Sequence, residues 1–129
     1  MSWIEDIGGY LQSQNVGIIG TDIFYGGLKA GKLNCIALFP RPGFEDIVSL
    51  GKSMTLCRPE LGILIRNKAG NLAEQQARDI YNILNLKTNT TIGNTKFKRI
   101  KAISTPFLLS KSEIEGTEYS VNFEVEISK

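Results

Sequence analysis

The sequence predicts an α+β fold: one mostly antiparallel sheet with two helices packed on it, in a single domain over residues 1–129. Three observations predict it. Helical periodicity appears twice, in a capped opening segment and again over residues 71–84. Near the end, Tyr119, Val121, Phe123, Val125 and Ile127 alternate strictly with polar residues, as a strand with one buried face does. Elsewhere, short β-branched runs are separated by Gly- and Pro-rich turns, with no regular alternation of strand and helix. At 129 residues, 42% hydrophobic and 22% charged, the chain has the length and apolar content for one layered core.

Ser2-Trp3-Ile4-Glu5 reads as a capping box, with Ile4, Ile7 and Leu11 on the apolar stripe behind it and Trp3 and Tyr10 widening it. Gly8-Gly9 weakens so short a helix, so the pair marks a close approach by a neighbour or a bend. Ile23-Phe24-Tyr25 is strand-like. The stretch 26–32 is a turn that lacks the spacing of a phosphate loop. Residues 34–39 form a continuous apolar strand, which Pro40-Arg41-Pro42-Gly43 is expected to end. Residues 44–56 have weak periodicity and read as a long exposed loop or projecting hairpin. A strand resumes at 61–66, where Leu61, Ile63 and Ile65 alternate with their neighbours. In the helix at 71–84, Asn71 is the expected N-cap, Ala73, Ala77, Ile80 and Leu84 the buried face, and Glu74–Arg78 an i,i+4 pair. Gly93-Asn94 turns a hairpin whose second arm runs to Pro106, and the strand at 119–127 closes an expected order of helix, two or three strands, helix, three strands.

Histidine is absent, which removes Ser-His and Cys-His nucleophile pairs and most zinc sites. The acidic pairs Glu5-Asp6 and Glu45-Asp46 read as solvated surface charge, so no catalytic, cofactor or metal residue is expected. Cys35 and Cys57 read as reduced structural thiols. No secretory leader or membrane-length apolar run is present, so the reading is a soluble protein made in a cytoplasm. A net charge of +2 argues for no nucleic-acid partner. The charge is uneven, however. Lys87, Lys96, Lys98, Arg99 and Lys101 form a basic stretch, and Glu113, Glu115, Glu118, Glu124 and Glu126 follow it. Two readings stand: the charges pair across strands of one sheet, or a basic edge of one copy faces an acidic edge of the next. On the second, candidate interface residues are Arg41, Phe44, Lys96, Lys98, Arg99, Lys101, Glu113, Glu115, Glu124 and Glu126.

Several stretches, in order, carry a resemblance to a known family. They are Gly9-Tyr10-Leu11, Gly17-Ile18-Ile19-Gly20-Thr21-Asp22-Ile23-Phe24-Tyr25-Gly26 and Asn34-Cys35-Ile36-Ala37-Leu38-Phe39. Pro59-Glu60-Leu61-Gly62-Ile63-Leu64-Ile65-Arg66-Asn67-Lys68, Ala77-Arg78-Asp79-Ile80-Tyr81-Asn82-Ile83-Leu84 and Ser120-Val121-Asn122-Phe123-Glu124-Val125 continue them over nearly the whole chain. In these the chain resembles the minor capsid and tail terminator (tail-completion, head–tail joining) proteins of long-tailed bacteriophages and prophages. The resemblance implies a structural virion protein of the tail or neck, made in the host bacterial cytoplasm. It implies a homo-oligomeric ring, typically a hexamer, that ends tube polymerisation and presents a docking surface to the head. The implied partners are further copies of itself, the tail tube protein, and a connector or stopper protein. Residues 41–56 depart from the shorter, more proline-rich linker such a family leads one to expect. The alternatives are another head–tail joining protein (a stopper or minor capsid protein) or a small ligand-binding module.

Overall fold

A computed structural model describes residues 3–28, 34–48, 55–112 and 116–128, with side-chain surroundings given for all of these except 42–48, 55–56 and 112. The elements run α1 (Trp3–Ser13), β1 (Ile23–Tyr25), β2 (Cys35–Val48), β3 (Thr55–Asn67), α2 (Gly70–Leu84), β4 (Lys87–Ile92), β5 (Thr95–Ala102), β6 (Phe107–Ser112) and β7 (Gly116–Ser128). The strands form one sheet in the order β1-β2-β3-β7-β5-β4, with β6 also paired to β7. β1 and β2 are parallel and every other pair is antiparallel, so the fold is α+β with a mostly antiparallel sheet.

Period-two patterning selects the sheet face that the helices cover. Ile36 and Leu38 of β2, Leu61, Ile63 and Ile65 of β3, and Val121, Phe123, Val125 and Ile127 of β7 are buried there against Ile4, Ile7 and Leu11 of α1 and Ala77, Ile80 and Leu84 of α2. The glycine pair in α1 resolves as a close approach. The Tyr25 ring lies where a Cβ on Gly8 would sit, and Tyr25 Oη donates to the Glu5 carbonyl at 3.5 Å. Lys87 places its ammonium 5.0 Å from the Tyr10 ring centroid, tying β4 to α1.

Five expectations need correction. First, β2 does not stop at Pro40; it runs to Val48, with register shifts after Arg41 and after Phe44. β1 covers β2 only as far as Leu38, so Pro40 and Pro42 stand on an edge strand, where a missing N–H breaks no ladder bond. The 44–56 stretch is correspondingly a hairpin, whose arms are β2 and β3 and whose tip lies outside the described residues. Second, Asn71 is inside α2 rather than capping it. Ala69 is the N-cap without a side-chain bond, and Asn67 Oδ1 instead accepts the Ala69 N–H at 3.0 Å. Third, four strands follow α2, because Pro106 interrupts the long partner of β7 into β5 and β6. Fourth, Asp6 is buried, its Oδ2 accepting from Thr95 Oγ1, so only Glu5 of that pair is surface charge. Fifth, the polar face of β7 is wet only in part. Ser120 and Asn122 are 3% and 8% exposed, because β7 is central and Arg41 reaches across to Asn122.

Candidate functional site

No described helix packs on the second face of the sheet, and the alternate residues of each strand meet there in cross-strand rows. One row reads Phe24, Ala37, Leu64, Ser120, Phe107 across β1, β2, β3, β7 and β6. The next reads Phe39, Gly62, Asn122. Gly62 is there because the Phe39 ring lies across it: a Cβ at Gly62 would stand 2.5 Å from Phe39 Cζ and 3.0 Å from Arg41 Cδ. Beneath them Asn122 Oδ1 accepts from Arg41 Nη1 at 3.3 Å, and Asn122 Nδ2 donates to Ser120 Oγ at 3.3 Å.

Charge frames these rows. Arg41, Glu60, Glu124 and Lys101 occupy one register line, with Arg41 Nε 3.6 Å from Glu60. Arg99 lies 3.3 Å from Glu126 and 3.7 Å from Glu124, sharing one guanidinium between two carboxylates. At the other end Arg66 donates from Nε and Nη2 to one oxygen of Glu118, at 3.2 and 3.0 Å, both side chains mostly shielded from water. In the sequence Glu118 reads only as part of the acidic run, and Arg66, Glu60 and Asn122 are not among the candidate interface residues. Their signal is that each falls on the polar phase of a strand whose other phase is core.

The ten candidate interface residues therefore separate. Arg41, Lys101, Glu124, Arg99 and Glu126 come together on the helix-free face, where Arg99 pairs within its own chain. Lys96 and Lys98 are exposed on β5, Lys98 in its register shift. Phe44 stands opposite Arg58 in the β2–β3 ladder, with nothing further described for its side chain. Glu113 and Glu115 lie outside the described residues.

Hollows among the described residues bring together no convergent catalytic set. One is lined by Arg58, Arg99, Glu124 and Glu126, two cations facing two anions. Another, between the end of α1 and α2, presents Gln14, Asn15, Gln76, Asp79 and Asn82. Among the described residues no group of three or more Cys, Asp or Glu is placed to hold a metal ion. No described helix is long and apolar enough to cross a membrane. Tyr25 has its phenol pushed above its ordinary pKa, first by burial and then by the carboxylates of Glu5 and Asp6. Cys35 is buried and Cys57 half-buried, and neither is in a disulfide.

Comparison with known proteins follows the same line. The family model described as bacteriophage tail terminator protein matches residues 10–129. Six solved chains match the fold. One, from the virion of a native gene transfer agent particle, aligns with a TM-score of 0.54 and 10% identity over 86% of this chain and 81% of that one, a likeness of fold. No curated protein matches the sequence.

Proposed function

Because this chain belongs to the bacteriophage tail terminator protein family, we propose that it caps the head-proximal end of a tail tube, ends tube polymerisation and offers the surface on which the head connector or stopper docks. The family is one of structural phage tail proteins and is not an enzyme class, which supports a tail-associated virion role. The finer reading adds a closed homo-oligomeric ring, hexameric by resemblance, assembled in the host bacterial cytoplasm. The observation that carries it is the architecture of the sheet: helices fill one face, while no described helix covers the other and no described strand pairs with the outer edge of β6. Ring subunits need such faces and edges and need no titratable pocket. The structural neighbour from a gene transfer agent virion supports placement in a virion.

Two experiments test this. Negative-stain microscopy of the concentrated protein should show rings with six-fold symmetry. Deleting the gene from its phage or prophage should give headless tubes that overrun their normal length, and supplying the protein in trans should restore the length. Tubes of normal length that carry no copy of this protein would overturn the capping role. Tubes of normal length and a subunit located on the connector would assign it instead to a stopper.

A further inference from the structure

Nine large apolar side chains are exposed among the described residues, and eight of them lie at opposite margins of the sheet. Five stand at the corner where β4 and β6 both begin: Leu86, Ile103, Phe107, Leu108 and Leu109, with Leu86 67% and Leu108 51% exposed. The register explains their proximity. The Ala102 N–H donates to Asn85 Oδ1 at 2.8 Å, so Leu86 and Ile103 flank one corner, and β6 continues from it along β7. Three more lie beyond the far edge, at and beside β1: Ile18 (58% exposed), Ile19 and Tyr25. Both margins belong to the same five-strand level, since the row Phe24, Ala37, Leu64, Ser120, Phe107 runs from one to the other.

The edges differ in how they are closed. The outer edge of β2 carries Pro40 and Pro42. β4 is polar and broken by Asn89 at φ 47°. At β1, the Ile23 N–H donates to the Ile18 carbonyl and the Ile23 carbonyl accepts from Gly20, so the 18–20 turn blocks that edge with backbone and offers only side chains. β6 holds no proline and no positive-φ residue, and it exposes three consecutive large apolar side chains. Natural sheets blunt such an edge unless it is covered.

Resting on the ring reading above, we infer that the β6 corner of one copy packs against the Ile18–Ile19 corner of the next, forming the ring's head-to-tail seam. The occupant is a second copy because two different apolar surfaces on opposite margins are what a heterologous contact requires, whereas an unrelated partner needs only one. Charge agrees. Lys111 follows Ser110, whose register line runs through Glu118 and Arg66 to Cys35; the next residue, Ile36, donates its N–H to the Asp22 carbonyl, which sets Asp22 at nearly the same level on the β1 margin. A copy set edge to edge thus brings an exposed ammonium toward a carboxylate.

The test uses Leu108→Lys and Ile18→Lys, both at exposed positions, with Leu108→Ser and Ile18→Ser as milder counterparts should a lysine variant lose its folded circular dichroism spectrum. Wild-type protein at high concentration should form rings by light scattering and microscopy. Each single variant should raise the concentration for half-assembly by about tenfold or more, the equivalent of losing one well-buried apolar side chain. An equimolar mixture of the two lysine variants retains one intact seam per pair and should give dimers without rings. Half-assembly of either folded variant at the wild-type concentration, or a mixture that stays monomeric, would overturn this seam while leaving the ring reading in place. Wild-type protein that never assembles would overturn the ring reading and the seam with it.

Discussion

Replacing Gly62 by alanine sets two opposing effects against each other on the helix-free face. Gly62 has no positive φ, so alanine fits its backbone, and restricting the unfolded chain should stabilise the fold by about 0.5 kcal/mol. The new methyl, however, would stand 2.5 and 2.6 Å from two carbons of the Phe39 ring, which has to leave. Phe39 is half-buried, and giving up that burial costs about half of the 1.5–3 kcal/mol for a fully buried ring, roughly 1 kcal/mol or slightly more. Swinging the ring away also uncovers the Ser120–Asn122 bonds beneath it. The net expectation for Gly62→Ala is a loss of about 0.5–1 kcal/mol, a fall in Tm of about 2–4 °C for a chain of this size. In a Phe39→Ala background the obstruction is gone, and the same Gly62→Ala change should raise stability by about 0.5 kcal/mol, giving a coupling energy of about 1–1.5 kcal/mol. Calorimetry or urea denaturation of the four proteins in the cycle measures it. Equal effects of Gly62→Ala in both backgrounds would refute the packing account of this face.

Three further outcomes follow from the geometry. Gly93→Ala places a Cβ at φ 59° against the buried Asp6 carboxylate and should cost about 2 kcal/mol or more by thermal denaturation, whereas Gly9→Ala, with open space and a helical backbone, should gain about 0.5–1 kcal/mol. Asp6→Ala strands the Thr95 hydroxyl and should cost about 1–3 kcal/mol, most of it recovered if Thr95→Val is added, read from the same denaturation curves. Tyr25, whose phenol is raised by burial and by Glu5 and Asp6, should be among the last of the four tyrosines to ionise in an alkaline absorbance titration. Because its folded pKa lies above the unfolded one, its contribution to stability is complete below the ordinary tyrosine pKa of about 10 and fades as pH rises through the folded value. A Tyr25→Phe protein should therefore lose less stability than wild type between neutral pH and that range.

The core was legible because period is a property of sequence alone. Ile4, Ile7 and Leu11, the Ala73–Ala77–Ile80–Leu84 stripe, and the odd-numbered residues of β7 all lie where their spacing puts them. What was illegible depended on neighbours. Pro40 and Pro42 end a strand when it has partners on both sides, and only the shortness of β1 tells that this one has not. Asn71 has the chemistry of a cap, but Asn67 sits nearer the Ala69 N–H once Asn67 is anchored in β3 and its Nδ2 donates to Gln76 Oε1 at 3.1 Å. Ser120 and Asn122 look solvent-facing until β7 is known to be central. The basic stretch and the acidic last strand were visible as composition. That they meet in register, Arg99 opposite Glu126 and Lys101 opposite Glu124, required the hairpin of β4 and β5 to fold back on β7.

The charges on the helix-free face contribute little to holding the fold. Arg41–Glu60, at 3.6 Å with the arginine 44% exposed, and the Arg99 pairs belong to a class worth about 0–1 kcal/mol each. Arg66–Glu118 is more shielded, and its two donors on one oxygen make it the strongest tie on that face. Stability therefore comes mainly from the opposite face, where the apolar phases of β2, β3 and β7 meet both helices. A surface that adds little to stability can vary its charge pattern without unfolding the chain, and in a contact between copies alternating charge would discriminate between partners more than bind them. Affinity between copies would then reside in the apolar margins at β6 and at Ile18–Ile19, with the Arg–Glu rows governing which neighbour is accepted and in what register.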